Sequence, residues 1–218
     1  GDLVMISSNW SASTLAENQP QLEAVIRHLM RKKAKFTLIS VEAQSRDISY
    51  RLASRLTPEG GYEYGRDWAH FGFVTNLIVS IKGMVNNLPD TIKKDVRGNP
   101  VSELPLLKGV TSLREYKMII DVTPSGTVPF WISYAPKETK ILYCPTSVMA
   151  AEAYTFLDSG QIKGMITGVK GAQEYEQLLG IVGLGTRFVN AISFSHVLII
   201  LFIFLGNLAL FMNRLQQR

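Results

Sequence analysis

Leu3-Val4-Met5-Ile6, answered after one helical stretch by Lys35-Phe36-Thr37-Leu38-Ile39-Ser40-Val41, decides the fold of this chain. Both are short apolar runs, the pattern of strands buried on both faces. Between them Leu22, Val25, Ile26, Leu29 and Met30 recur at steps of three and four, with Pro20 near the start and Arg31-Lys32-Lys33 at the end. That spacing predicts an amphipathic helix over 18–33 whose terminal cations suit its dipole. Strand, helix and strand joined by such short connections make a parallel pair with a right-handed crossover.

Outward from this unit the rhythm repeats. Ile48, Leu52 and Leu56 mark a helix over 45–56, stopped at Pro58-Glu59-Gly60-Gly61. Trp68 to Phe73 reads as a third strand and 77–85 as a helix. Strands over 116–122, 140–144 and 162–167 then alternate with helices over 128–134, 148–157 and 172–179. The stretch Pro89 to Gly109 holds Pro100 and Pro105 without a period and reads as a long connection or a partner-facing loop. Six strands alternating with helices predict an α/β fold, a doubly wound, mostly parallel Rossmann-like sheet.

The carboxyl-terminal part follows different physics. From Ala191 to Met212 there is no Asp, Glu, Lys or Arg. At about 1.5 Å per residue this segment reaches about 33 Å, enough for a hydrocarbon core of about 30 Å. Leu, Ile and Phe surround the whole circumference from Val197 to Leu205, leaving no polar stripe for water. The expected organisation is a domain over 1–179, a flexible glycine-containing linker over 180–190, a transmembrane helix over 191–212 and a short basic tail over 213–218. Gly206 and Asn207 are the candidate helix–helix contact within the span. Arg187 before it and Arg214 and Arg218 after it bias the tail to the cytoplasm and the domain to the periplasmic or extracellular side. A first residue of Gly1 fits loss of a signal or anchor ahead of it.

With 218 residues, a net charge of +5 and a single cysteine, Cys144, the chain cannot close an internal disulfide. Its cations are interspersed with acids outside Arg31-Lys32-Lys33 and Lys35, so no nucleic-acid partner is expected. In open parallel sheets ligands bind beyond the carboxyl ends of the strands. There the sequence places Ser7, Ser8, Asn9 and Ser11 after the first strand, and Asp121, Thr123 and Ser125 after the fourth. Thr146 and Ser147 follow the fifth, and Gly168 and Lys170 the sixth. These are the candidate ligand-binding residues, for a small polar or anionic ligand. Topology alone also puts short polar residues in such loops.

Chemistry beyond binding finds little support. Thr167-Gly168-Val169-Lys170-Gly171 lacks the Lys-Ser or Lys-Thr pair of a phosphate loop. Asp121-Val122-Thr123-Pro124-Ser125 resembles the metal-adhesion loop of von Willebrand factor A domains, but follows the fourth strand rather than the first. The histidines, His28, His70 and His196, are scattered, and no Gly-x-Ser-x-Gly elbow is present. No catalytic residue, metal ligand or cofactor is therefore assigned. Asn9-Trp10-Ser11 matches the glycosylation tripeptide by chance.

Residues 7–18, Ser7-Ser8-Asn9-Trp10-Ser11-Ala12-Ser13-Thr14-Leu15-Ala16-Glu17-Asn18, and residues 159–176, which include Gly164-Met165-Ile166-Thr167-Gly168-Val169-Lys170-Gly171, are similar to uncharacterised bacterial membrane-anchored proteins. The resemblance implies no activity and no site residue. Two functions are expected to compete. One is a non-catalytic subunit of a membrane complex, meeting the lipid bilayer and other membrane-protein subunits or its own copies. Its support includes the aromatic-rich loops around Trp10 and Trp68. The other is a tethered sensing domain for a small ligand. A membrane-bound hydrolase or transferase would need a nucleophile that the sequence does not offer.

Overall fold

Alternation along β1 (Leu3–Ser8) sends Val4 and Ile6 to one face of a sheet and Leu3 and Met5 to the other, and all four are buried. A strand covered on both sides belongs to a parallel sheet. In the computed structural model, which describes residues 2–216, the described residues form a six-stranded sheet in the order β3-β2-β1-β4-β5-β6. Every pairing is parallel. The other strands are β2 (Lys35–Ser40), β3 (Trp68–Phe73), β4 (Met118–Thr123), β5 (Lys140–Pro145) and the two-residue β6 (Gly164–Met165). This is the doubly wound, Rossmann-like arrangement, with its reversal of strand order between β1 and β4.

Helices α1 (Leu15–Arg31), α2 (Ala43–Leu56) and α7 (Gly168–Leu178) lie on one side. There Leu22, Val25 and Ile26 of α1 and Leu52 and Leu56 of α2 pack on Val4, Ile6, Phe36, Leu38, Ile120 and Val122. Full burial of each such side chain contributes roughly 1.5–3 kcal/mol. Pro20 falls inside α1 rather than at its first turn. The opposite face carries α3 (Leu77–Asn86), the short α4 (Leu88–Thr91), α5 (Val128–Tyr134) and α6 (Ala150–Asp158). Ile81, Met84, Trp131 and Ala153 meet Leu3, Met5, Ile39, Phe71 and Tyr143 there.

The segment after α4 is the long connection that the sequence leads one to expect, and it contributes to the core. Ile92, Val101, Leu104, Leu106, Leu107 and Leu113 from this stretch are all buried in the second core. It has no regular period because its apolar residues sit on short turns, and these residues roof the sheet. The Val96 N–H also donates to the carbonyl of His70 on the edge strand β3. Pairing that edge removes a template for aggregation. Trp10 and Trp68 are likewise 1% and 2% exposed, so these two side chains belong to the core.

Helix α8 (Leu184–Gln216) is 33 residues long, and is long and apolar enough to cross a membrane. It begins seven residues before the apolar stretch, so only Leu179 to Gly183 separate it from α7. The 180–190 linker thus shrinks to a tight turn, and two of its glycines, Gly183 and Gly185, have a packing role. A Cβ on Gly185 would lie 2.8 Å from the backbone nitrogen of Gln173 and 3.0 Å from the carbonyl carbon of Ala172. One on Gly183 would lie 2.4 Å from the Glu176 carboxylate. Beyond this contact the helix stands away from the domain, with Ile192 and Val197 to Leu205 all exposed. Arg214 is in the described helix, whereas Gly1 and Arg218 lie outside the described residues.

Candidate functional site

The crevice at the reversal of strand order is where the candidate residues of β1 and β4 meet. Ser7 pairs with Asp121 in register, and Ser8 with Val122. Asn9 is the centre. Its Nδ2 donates to Ser7 Oγ at 2.7 Å and to Asp121 Oδ1 at 3.1 Å, and its Oδ1 accepts from the Val41 N–H at 2.9 Å. Its own N–H donates to the Val122 carbonyl at 2.9 Å. One side chain thereby ties β1 to β2 and β4.

Asp121 is completely buried, and its Oδ2 accepts from Thr127 Oγ1 at 2.6 Å. Burial raises its pKa to about 6, against the pull of hydrogen bonds from Thr127, Ser7 and Asn9. Ser7 Oγ accepts from Asn9 and, at 3.1 Å, from Trp131 Nε1. Its hydroxyl hydrogen remains for Asp121. Every polar atom of this cluster is therefore spent on another protein group. A carboxylate so enclosed cannot also present itself to a cation in the manner of a metal-adhesion loop. The Asn9 amide, with both hydrogens engaged and 4% exposed, is no glycan acceptor.

A second buried network runs away from the crevice. Ser8 Oγ lies 3.0 Å from Ser45 Oγ, Ser45 Oγ donates to the Ser8 carbonyl at 2.7 Å, and Ser49 Oγ donates to the Ser45 carbonyl at 2.5 Å. Ser49 Oγ also lies 2.9 Å from His70 Nε2, while the Gly72 N–H donates to His70 Nδ1 at 2.9 Å. With Nδ1 accepting, the neutral ring carries its hydrogen on Nε2 and gives it to Ser49. Burial holds the His70 pKa down at about 3. The pair has the composition of a base and a nucleophile, but its polarity is reversed: the imidazole donates.

The β5 and β6 ends form a third group around α1. Glu17 Oε2 accepts from the Ser147 N–H at 2.7 Å and from Ser147 Oγ at 2.6 Å. Gln21 Nε2 bridges the carbonyls of Pro145, at 2.7 Å, and Ile166, at 2.8 Å. Gly168 has φ +59, and a Cβ there would lie 2.1 Å from Ser147 Oγ, so glycine is required by space and by backbone alike. In dinucleotide folds the first turn after β1 is glycine-rich and offers helix N–H groups to a phosphate. Here buried Trp10 fills that turn and the Glu17 carboxylate stands in the first turn of α1. An anion at this position would meet a negative charge.

The remaining candidates scatter. Thr123 Oγ1 bonds Ser125 Oγ at 2.9 Å at the rim, and Ser11 Oγ bonds Ser13 Oγ at 2.8 Å. Lys170 points along α7 to Gln173 at 2.8 Å and Glu174 at 3.8 Å, away from the crevice. Thr146 is buried with an unpartnered hydroxyl. Cys144 is buried, and burial raises its thiol pKa well above the ordinary range. Among the described residues no three His, Cys, Asp or Glu side chains are grouped to hold a metal ion. Within α8, Asn207 Nδ2 donates to the Ile203 carbonyl at 2.9 Å, and a Cβ on Gly206 would meet nothing.

Sequence reasoning missed Ser45, Ser49, Glu17, Gln21 and Glu176. The first four are helix residues whose side chains reach strands and strand-end loops elsewhere in the chain. Glu176, on α7, is the carboxylate that holds the start of α8. It is buried, and it accepts from the N–H groups of Gly183 at 3.2 Å, Gly185 at 2.8 Å and Thr186 at 2.7 Å, and from Thr186 Oγ1 at 2.7 Å. A negative group at a helix N-terminus satisfies otherwise orphaned donors and the dipole together. Comparison with family models, with curated proteins and with solved structures finds no match.

Proposed function

We propose that this chain is a membrane-anchored, non-catalytic subunit of a membrane protein complex, working through protein contacts of the domain and helix contacts of α8. One observation carries the reading. The strand-end polar groups that would do chemistry are bonded to one another, whereas α8 offers an exposed apolar surface fixed to the domain by Glu176. On this reading the anchor spans the bilayer with Arg214 toward the cytoplasm and the domain on the periplasmic or extracellular side. The resemblance of residues 7–18 and 159–176 to bacterial membrane-anchored proteins supports the anchor. Gly206 and Asn207 supply a small step and an amide for a neighbouring helix, belonging to another subunit or a second copy.

The test is extraction of the full chain from its native membrane in mild detergent, followed by mass measurement and helix–helix cross-linking from a cysteine at position 206. Co-migrating chains, and cross-links lost in Asn207→Leu, are expected. A monomer in every gentle condition sinks the proposal.

A second reading, a tethered sensor of a small polar ligand, draws on a different observation. Around the Gln21 bridge, Asn18 Oδ1, Thr146 Oγ1 and Thr167 Oγ1 are buried without a protein partner. Buried polar atoms in native proteins ordinarily have one. A thermal-shift screen of sugars, amino acids and nucleotides is expected to find a stabilising compound whose effect is lost in Thr146→Val. A screen without any shift removes this reading.

A further inference from the structure

At the opposite end of the sheet, the amino-terminal edge, lysine recurs strand after strand. Lys35 and Lys140 open β2 and β5, and Lys117 and Lys163 stand immediately ahead of β4 and β6. Lys32 and Lys33 occupy the turn into β2, and Lys33 itself has φ +54. The acids on this edge are Asp2 before β1, Asp67 before β3, Glu115 before β4 and Glu138 before β5; Asp67 is engaged by Arg66 at 2.9 Å and Glu115 accepts from Ser112. Among the described residues no carboxylate comes within 4.0 Å of the Lys32, Lys35, Lys117 or Lys140 ammonium groups.

Into this basic edge opens a cavity of about 380 Å³, enclosed by α1, α7 and the strands β1, β4 and β5. Its walls are hydrocarbon, from Val25 and Leu29 on α1, Met118 and Ile120 on β4, and Leu142 and Ile166 near β5 and β6. Lys32, Lys117 and Asp2 stand at its mouth. The polar element of the wall is His28, whose Nδ1 is bonded to Tyr175 OH. Burial, then Lys32 and Arg31, lower the His28 pKa, so the ring adds no charge at neutral pH. A cavity of this size, apolar with a few charges at one end, falls in the range of about 300–1,000 Å³ typical of small-ligand pockets.

We propose that this cavity takes the hydrocarbon chain of a medium-chain fatty acid, with its carboxylate at the mouth beside Lys32 and Lys117. The mouth carries two lysines against the single carboxylate of Asp2, which favours a negative head group, and, on the proposed membrane reading, α8 places the domain next to a lipid supply. Neither the strand-end residues nor the contacts of α8 take part, so this site stands apart from the proposed role in a complex.

The experiment uses the full chain in phosphatidylcholine nanodiscs with a twelve-carbon fatty acid bearing a terminal diazirine. After irradiation, peptide mapping is expected to place the label within 25–34, 118–120, 142–144 or 164–166. Excess dodecanoate should suppress it and dodecanol should not. The double variant Lys32→Glu, Lys117→Glu reverses two exposed charges, and is expected to lower labelling roughly five- to tenfold while leaving the melting temperature near wild type. Leu142→Trp fills the cavity and should abolish labelling. Label confined to α8, or a domain label unchanged in the charge-reversed variant, overturns the proposal.

Discussion

The Glu176 carboxylate accepts the Gly185 N–H at 2.8 Å, and the same glycine lies so close to α7 that no side chain fits there. Cap and close approach are two halves of one joint. Glu176→Ala leaves buried N–H groups unpaired and is expected to cost about 2–4 kcal/mol. Gly185→Ala pushes backbone against backbone, for about 1–3 kcal/mol. Trypsin cleavage after the exposed Arg187 should accelerate in both variants. Gly206→Ala, with nothing near its added Cβ, should leave it unchanged.

Asp121 makes stability fall as pH rises through the mildly acidic range. Its pKa is about 6 in the fold and about 3.8 when unfolded, so between those values the folded state holds the extra proton. Raising pH from about 4 to 6 strips that proton and leaves a buried carboxylate. The melting-temperature difference, wild type minus Asp121→Asn, should therefore shrink from pH 4 to 6 and flatten above about 7. A difference independent of pH contradicts this.

His70 works in the opposite direction. The ring is neutral in the fold down to about pH 3, whereas an unfolded histidine takes a proton below about 6.5. The unfolded state binds more protons in that window, so the stability contributed by neutral His70 is complete above it and lost as pH falls. Acid titration of the melting temperature should show a decline that His70→Gln removes, even though that variant is less stable at pH 7.

Asn9→Ala should be among the most damaging substitutions in the domain, at about 3 kcal/mol, because it strands the Val41 N–H and one Asp121 oxygen in the interior. Ser11→Ala, at the half-exposed rim, should change stability by under about 0.5 kcal/mol. Equal losses at the two positions in urea unfolding would show that Asn9 does not hold the three strands together.

The fold was legible because two periodicities, alternate burial along Leu3 to Ile6 and the three- and four-residue steps from Leu22 to Met30, are local. The roof from Ile92 to Leu113 was not, since its leucines sit on short turns whose spacing follows the surface they cover. At the site, topology correctly gathered Ser7, Asn9 and Asp121 but said nothing of their orientation. Hydrogen bonding turned them inward, and Thr127 and Trp131, six and ten positions beyond Asp121, completed the closure. Lys170 was drawn to the crevice by its place after β6, whereas a helix side chain lies over its own i+3 and i+4 neighbours. Glu176 left no local trace, because a capping carboxylate ordinarily stands within a turn of the end that it caps.

The joint at the start of α8 sets how the domain meets its surroundings. A module on a loose tether sweeps a hemisphere above the bilayer and shows every side in turn. On the proposed membrane reading, a domain whose anchor is welded to its scaffold keeps a constant tilt and height, so rotation about the membrane normal is its main remaining freedom. On that reading, encounter with a neighbour becomes a search in the plane, and any face held against the lipid is withheld from soluble partners.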